Sequence, residues 1–230
     1  MTQPEQRLLN TAGCDRADRW DWDWRPFPTD TIQESAIQES MISAAKRFIA
    51  DVYDAKEPRW LVLVGHPGCG KTHIADRIRW FLRDYGEAMY NRDVRAVIDP
   101  DNARVETIYS YAQEGAVMVK WGTLIERLRE GETSLFAKAC EDHYKVIDDL
   151  GVNSLDKEGN ATPFACQKMG ELLDRRIRKW TIVTTNWSID EISMAFDSRV
   201  ASRLMRNSEV IKCFGLRDYL VRMKVATKAA

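Results

Sequence analysis

The residues best placed to do chemistry begin with a glycine-rich stretch, GHPGCGKT over 65–72. It matches the phosphate-binding pattern G-x-x-x-x-G-K-[ST] at every fixed position. Glycine lets the backbone curl so that N–H groups point at phosphate oxygens, Lys71 adds a cation, and the Thr72 hydroxyl can ligate Mg²⁺. The candidate nucleotide-binding residues are therefore Gly65, His66, Pro67, Gly68, Cys69, Gly70, Lys71, Thr72 and His73.

Two adjacent carboxylates follow an apolar run further along the chain. Downstream of a phosphate-binding loop, Asp148 is expected to hold Mg²⁺ together with Thr72, directly or through water. Asp149 can polarise a water for attack on the γ-phosphate. A turn or helix N-cap is the alternative interpretation of such a pair, and the upstream loop favours the catalytic one.

An amide and a pair of arginines complete the candidate set. Asn186 follows a threonine-rich strand and could reach the γ-phosphate or the attacking water, although an Asx turn would explain it equally well. Arg199 and Arg203 are one helical turn apart and could share a face. They could act in trans on a neighbour's phosphate, or form a solvated basic face that pairs with Asp197 or Glu209.

The elements that must position these residues alternate between strand and helix. Apolar runs predict strands at 60–64, 116–120, 144–149, 181–185 and 210–214, with amphipathic or capped segments before, between and after them. Capping patterns predict helix starts at Thr31, Thr162 and Ser188. The helix after Thr162 is expected to reach about Lys179, with Ile177 pointing inward. This alternation predicts a doubly wound α/β domain with a five-stranded parallel sheet and helices on both faces. Ligands of such sheets bind at the carboxyl ends of the strands, where the loop, both aspartates and Asn186 fall.

Composition bounds the rest of the interpretation. The chain has 230 residues, is 44% hydrophobic and carries a net charge of −1, which allows one sizeable core and no global basic field. No apolar run has the length of a membrane span, and no signal-peptide core is found near the start. The five cysteines are scattered without a C-x-x-C pair, so we expect a cytoplasmic protein with reduced thiols and no zinc site.

We divide the chain into an N-terminal arm at 1–30, a core at 31–220 with an insertion at about 87–115, and a tail at 221–230. The arm carries Trp20, Trp22 and Trp24, which would share one face of an extended chain. They are expected to strap the arm to the core or to dock a partner.

The motifs GHPGCGKT, VIDDLG, TIVTTN and SRVASRL, in this order, resemble those of AAA+ ATPases. More narrowly, they resemble the helicase loaders and transposition ATPases typified by DnaC, DnaI and IstB, over roughly residues 35–220. The resemblance implies a P-loop NTPase core of the AAA+ type without a helical lid domain, and it implies ATP and Mg²⁺ as ligands. It assigns Walker A to Lys71 and Thr72, Walker B to Asp148 and Asp149, sensor 1 to Asn186, and the arginine finger to Arg199 with Arg203 in support.

The implied partners are a hexameric replicative helicase, single-stranded DNA and further copies of the chain in an ATP-bridged oligomer, without a membrane. The sequence also departs from the family pattern. Only a short region precedes the core, the 87–115 insertion is unfamiliar, and Leu220 stands where an arginine would be. Asp149 is one methylene shorter than the commoner Glu, which favours slow hydrolysis.

Candidate DNA contacts are local. Lys120 and Trp121, with Arg127 and Arg129 nearby, combine an aromatic with cations, as base stacking and backbone neutralisation require. A Trp at the core edge among solvated charges is at least as good an interpretation. A second basic cluster contains Arg175, Arg176, Arg178 and Lys179, and one or two of these could instead serve a subunit interface.

Other functions remain open at this point. An IstB-like transposition ATPase would act on duplex DNA. A P-loop kinase or phosphotransferase would need an acceptor pocket and a mobile arginine-rich lid. An ATP-gated adaptor would bind the nucleotide without meaningful turnover.

Overall fold

The computed structural model describes residues 29, 31–53, 56–79, 81–82, 117–157 and 159–218. The tryptophan arm, the 87–115 insertion and the tail at 221–230 lie outside the described residues. No helix within those ranges is long and apolar enough to cross a bilayer.

The described elements alternate between helices and strands along the chain. They are α1 (Ile32–Tyr53), β1 (Trp60–Val64), α2 (71–79 and 81–82), β2 (Val117–Lys120), α3 (Trp121–Arg129), α4 (Ser134–Glu141), β3 (Tyr144–Asp148), α5 (Pro163–Arg175), β4 (Trp180–Thr185), α6 (Ile189–Ala195), α7 (Ser198–Met205) and β5 (Ser208–Lys212). The strands form one parallel sheet in the order β2-β3-β4-β1-β5. The predicted fold class, an α/β domain with a five-stranded parallel sheet, is confirmed.

The sheet is covered on both faces, which explains why its central strands are continuously apolar. Every residue of β1, β3 and β4 is buried. Leu61 and Leu63 belong to a core shared with α1 and α2, whereas Val62 and Val64 belong to a core shared with α3, α4, α5 and α7. Alternate side chains of a strand point to opposite faces, so each strand contributes to both cores. Full burial of one such side chain stabilises the fold by about 1.5–3 kcal/mol.

Three predicted helix starts are confirmed by their capping contacts. Thr31 Oγ1 accepts a hydrogen bond from the Glu34 N–H at 3.1 Å. Thr162 caps α5 with Pro163 in the first turn, and Ser188 forms a complete capping box at α6. Side-chain oxygens here satisfy N–H groups that have no partner within the helix.

Several predicted boundaries are wrong by a few residues. The helix expected to reach about Lys179 ends at Arg175, and Arg178 has a left-handed φ of 62°. Ile177, predicted to point inward, is 42% exposed because it lies beyond the helix end. The last strand is Ser208–Lys212 rather than 210–214.

Candidate functional site

The phosphate-binding loop connects β1 to α2 and requires glycine at its fixed positions. Gly68 and Gly70 have φ of 76° and 97°, in the left-handed region that favours glycine. A Cβ added at Gly65 would lie 2.8 Å from Cys213 Cβ, so a larger residue would clash with the chain after β5. The sequence motif therefore has a local steric cause at each of these glycines.

The ammonium group of Lys71 is buried at the centre of this loop. The residue is only 4% exposed. Its Nζ donates to the carbonyl oxygens of Gly65 and His66, both at 2.7 Å, and to Asn186 Oδ1 at 3.0 Å. Among the described residues, no carboxylate accepts a hydrogen bond from it. Because neutral oxygens are its closest partners, this buried ammonium still suits an anionic ligand such as a phosphate.

A hydroxyl and a buried carboxylate lie together beside the loop. Thr72 Oγ1 donates to Asp148 Oδ1 at 2.9 Å, and Thr184 Oγ1 donates to the same oxygen at 2.6 Å. Asp148 is the last residue of β3 and is 1% exposed. Hydroxyl and carboxylate oxygens suit Mg²⁺, which is usually held by one or two carboxylates together with substrate phosphates. The pair therefore fits Mg²⁺ delivered with a nucleotide, and the described residues contain no group of three or more His, Cys, Asp or Glu that could hold a metal alone.

Asp149 lies immediately after the strand, in a left-handed conformation with φ of 54°. Its N–H donates to Thr184 Oγ1 at 3.0 Å. Burial raises the pKa of its carboxyl, and the neighbouring Asp148 charge raises it further, while Lys120 and Lys71 oppose both effects. A raised pKa makes this carboxylate a better proton acceptor near neutral pH than an ordinary Asp.

Strand register brings these groups to one edge of the sheet. Val64 pairs with Thr185, so the segments that follow β1 and β4 begin side by side. The hydrogen bond from Lys71 to Asn186 connects these two segments. The other candidates differ in exposure: Cys69 is buried, Gly70 is half-buried, and His66, Pro67, Gly68, Thr72 and His73 are exposed. The structure thus joins Lys71 to Asn186 and Thr72 to Asp148 by direct hydrogen bonds, and Asp149 follows Asp148.

Two side chains in or next to the loop, those of Cys69 and His73, have lowered pKa values. A hydrogen bond with the Cys213 thiol lowers the pKa of Cys69 to about 6, and the Lys71 ammonium, 3.5 Å from Cys69 Sγ, acts in the same direction against burial. Although its side chain is exposed overall, partial desolvation of the imidazole lowers the pKa of His73, the nearby Arg77 charge lowers it further, and Asp76 opposes both effects.

The arginine pair lies apart from the loop, on α7. Arg199, Arg203 and Arg206, with two serines, line an open depression of about 580 Å³. Arg203 forms a two-pronged ion pair with Asp174, with Nε to Oδ1 at 2.5 Å and Nη2 to Oδ2 at 2.9 Å. Arg199 is exposed, and its guanidinium makes no hydrogen bond or ion pair to any described residue. In the described ranges no hydrogen bond or ion pair links these arginines to the phosphate-binding loop.

Arg206 was not among the predicted site residues. It follows Arg199 by seven positions and Arg203 by three, which is the spacing of one helical face. That spacing could have identified it from the sequence.

Two of the candidate DNA contacts are buried, which for Trp121 favours the alternative interpretation of a tryptophan packed in the core. Trp121 is fully buried, and its indole Nε1 donates to Ser154 Oγ at 2.6 Å, so it cannot stack on a base. Arg176 is also fully buried, and its guanidinium donates to three carbonyl oxygens and to Thr181 Oγ1. Burial lowers the pKa of Arg176 to about 10, which leaves it charged at neutral pH. Both side chains serve the core.

Solved structures share this architecture. The crystal structure of the DnaC helicase loader superposes with a TM-score of 0.56 and 19% identity, covering 86% of this chain and 99% of that one. The crystal structure of DnaI gives a TM-score of 0.53 and 18% identity, covering 79% and 84% of the two chains. No protein-family model and no curated protein matches the sequence. At these identities the likeness shows the fold alone, a five-stranded parallel α/β sheet that this chain shares with DnaC and DnaI.

Proposed function

We propose that this protein is an AAA+ ATPase that binds ATP with Mg²⁺ and loads or remodels a replicative DNA helicase on single-stranded DNA. The observation that carries the proposal is the buried Lys71 ammonium, held by neutral oxygens beside the Thr72 and Asp148 pair. The fold adds support, because it is shared with a protein described as a helicase loader.

In this proposal each described residue has a defined task. The loop N–H groups and Lys71 bind the phosphates, and Thr72 with Asp148 would hold Mg²⁺, which neutralises charge on the phosphate oxygens. Asp149 would accept the proton of the attacking water as the water oxygen bonds to the γ-phosphorus, while the bond from that phosphorus to the β–γ bridging oxygen breaks and ADP leaves. Asn186, already beside the Lys71 ammonium, orients that water or the terminal phosphate.

The catalytic arginine is proposed to come from a second copy of the chain. An exposed guanidinium with no ion pair to any described residue is available to a neighbour's γ-phosphate, and it lies on an open, arginine-lined surface that a second copy could approach. Arg203, held by Asp174, would support Arg199 in the same interface. ATP would then bridge successive copies into an oligomer, and hydrolysis would release the partner.

The test is the specific ATPase activity measured against protein concentration. We expect the rate per chain to rise with concentration, because each active site needs two copies, and to rise further with single-stranded DNA. Turnover by a strict monomer that does not depend on concentration would contradict the proposal. Stronger stimulation by duplex DNA would favour the transposition ATPase, and net transfer of phosphate to an acceptor other than water would favour a phosphotransferase.

A further inference from the structure

The chain that follows β5 packs directly against the phosphate-binding loop. We call residues 213–218 the post-β5 segment. Cys213 N–H donates to the Val64 carbonyl at 2.6 Å, and its side chain occupies the space that a Cβ at Gly65 would need. The Phe214 ring lies edge-on to the His66 ring, with 5.1 Å between centroids. The first half of this segment therefore supports the first half of the loop.

The far end of the segment reaches the middle of the loop. A Cβ built at Gly68 would lie 1.9 Å from Asp218 Oδ2, so the carboxyl group rests against the loop backbone. A side chain at Gly68 would therefore have to displace the Asp218 carboxyl group, and it would also be strained by the positive φ. Three points along the loop are thus backed by one short stretch of chain.

Helix α1 fixes the post-β5 segment in place. Glu34 in its first turn has a side chain only 4% exposed, and Arg217 Nε donates to its Oε1 at 2.7 Å while Nη2 donates to Oε2 at 3.1 Å. Such two-pronged pairs are among the stronger charged contacts and define orientation as well as distance. A Cβ at Gly215 would lie 2.5 Å from Ile37 Cδ1, so the segment also approaches α1 closely.

We propose that Glu34 is a positioning residue of the nucleotide site: through Arg217 it holds the post-β5 segment against the phosphate-binding loop, which keeps the loop organised for the triphosphate. The inference rests on the proposed binding of ATP at this loop. When only a fraction of molecules has the binding-competent loop, the apparent affinity falls by that fraction. Linkage is reciprocal, so nucleotide binding must also strengthen the contact of α1 with the segment.

The experiment measures the dissociation constant of a fluorescent, non-hydrolysable ATP analogue for wild type, Glu34→Gln and Glu209→Gln. If the ion pair is needed to keep the loop competent in most molecules, Glu34→Gln weakens binding by about tenfold. Glu209→Gln is the matched control, because Glu209 also joins α1 to β5 through Arg47 but at the other end of the strand. Its dissociation constant should stay within about twofold of wild type.

Arg217→Gln removes the same pair from its more exposed side, where folding is least at risk. Because the two residues act as one pair, the double variant should bind the analogue as weakly as either single variant. Thermal midpoints without nucleotide separate general destabilisation from the loss of affinity. An unchanged or tighter dissociation constant in both single variants would overturn the inference while the proposed ATP site stands. Absence of binding by wild type would instead overturn the proposed function itself.

Discussion

The phosphate-binding loop and the surface formed by Arg199, Arg203 and Arg206 both carry cations, but the two regions differ in how far these cations are buried and paired. Lys71 is 4% exposed and donates to three oxygens of its own chain. Arg199 is exposed on a surface that it shares with Arg203 and Arg206, and no described residue pairs with its guanidinium. One cation is fixed before any ligand arrives, whereas the other is available to a second molecule.

This difference is what we expect if one chain carries both the groups that bind its own nucleotide and a group that acts on the nucleotide of a neighbouring copy. Groups that bind the substrate bind it more tightly when they are held rigidly, because the entropy of ordering them is lost on folding and not on binding. A group that acts on a neighbour must stay at the surface until the two copies meet. The following variants, taken from the largest expected effect to the smallest, test whether the two regions really divide the work in this way.

The sharpest contrast is between Lys71→Ala and Arg199→Ala. The first should abolish ATP binding, because it removes the buried cation. The second should leave the dissociation constant within about twofold and lower turnover by about 10³-fold or more, as expected for an arginine finger. Fluorescent nucleotide titration and steady-state hydrolysis measure the two quantities. Arg129→Ala, an exposed arginine on α3, is the control, and a loss of ATP binding in Arg199→Ala would break the comparison.

Asp149→Asn should separate catalysis from stability. We expect hydrolysis to fall by about 10²-fold to 10⁴-fold, because the proton acceptor is lost. Asn tolerates the left-handed φ of 54°. Burial disfavours the Asp149 charge, so its folded-state pKa is raised and the folded protein loses stability as pH rises from the ordinary value to the raised one.

The thermal midpoint of Asp149→Asn should therefore exceed that of wild type at pH 8, with the difference vanishing near pH 3. Asp149→Ala should lose hydrolysis equally but fold less stably than the Asn variant, because Ala is strained at positive φ. A lower midpoint for the Asn variant at pH 8 would contradict this account of the carboxylate.

Arg176→Ala tests a buried cation that serves structure alone. Its removal leaves three carbonyl oxygens without their donor, and we expect the free energy of unfolding to fall by about 3 kcal/mol or more. Urea denaturation measures it, with Arg129→Ala as the exposed control expected within about 0.5 kcal/mol. A small effect at Arg176, combined with weaker DNA binding, would restore its predicted role in a basic DNA surface.

The smallest effect is expected from Asp174→Asn. The Arg203 to Asp174 pair is partly exposed, so its loss should cost no more than about 1 kcal/mol of stability. If Arg203 only supports Arg199, hydrolysis should fall by less than about tenfold, and added salt should reduce the difference from wild type. A loss as deep as that of Arg199→Ala would mean that the Asp174 pair holds the essential guanidinium.

Much of the fold and of the phosphate-binding loop could be predicted from the sequence, because both depend largely on local sequence patterns. Thr31, Thr162 and Ser188 are typical helix-start residues, and the positive φ of Gly68 and Gly70 is a local reason for glycine there. The parallel sheet followed from apolar runs alternating with helices. The sequence pattern could not show which polar and aromatic side chains are buried. Trp121 and Arg176 look like surface contacts in the sequence, yet tertiary packing encloses both.

The contacts that support the phosphate-binding loop could not be predicted either, because they also depend on tertiary packing. Glu34 and Arg217 are 183 positions apart, and nothing local in either stretch indicates that they meet. Arg206 is the opposite case, since its helical spacing from Arg199 is visible in the sequence.

The most direct test mixes two inactive variants. Lys71→Ala cannot bind ATP, and Arg199→Ala binds it but has no arginine to offer its neighbour. In a mixture, a Lys71→Ala chain supplies its intact Arg199 to the ATP held by an Arg199→Ala chain, so hydrolysis should reappear and peak near equal proportions. If no mixture hydrolyses ATP although Arg199→Ala binds it normally, the arginine does not act between copies and the central claim fails.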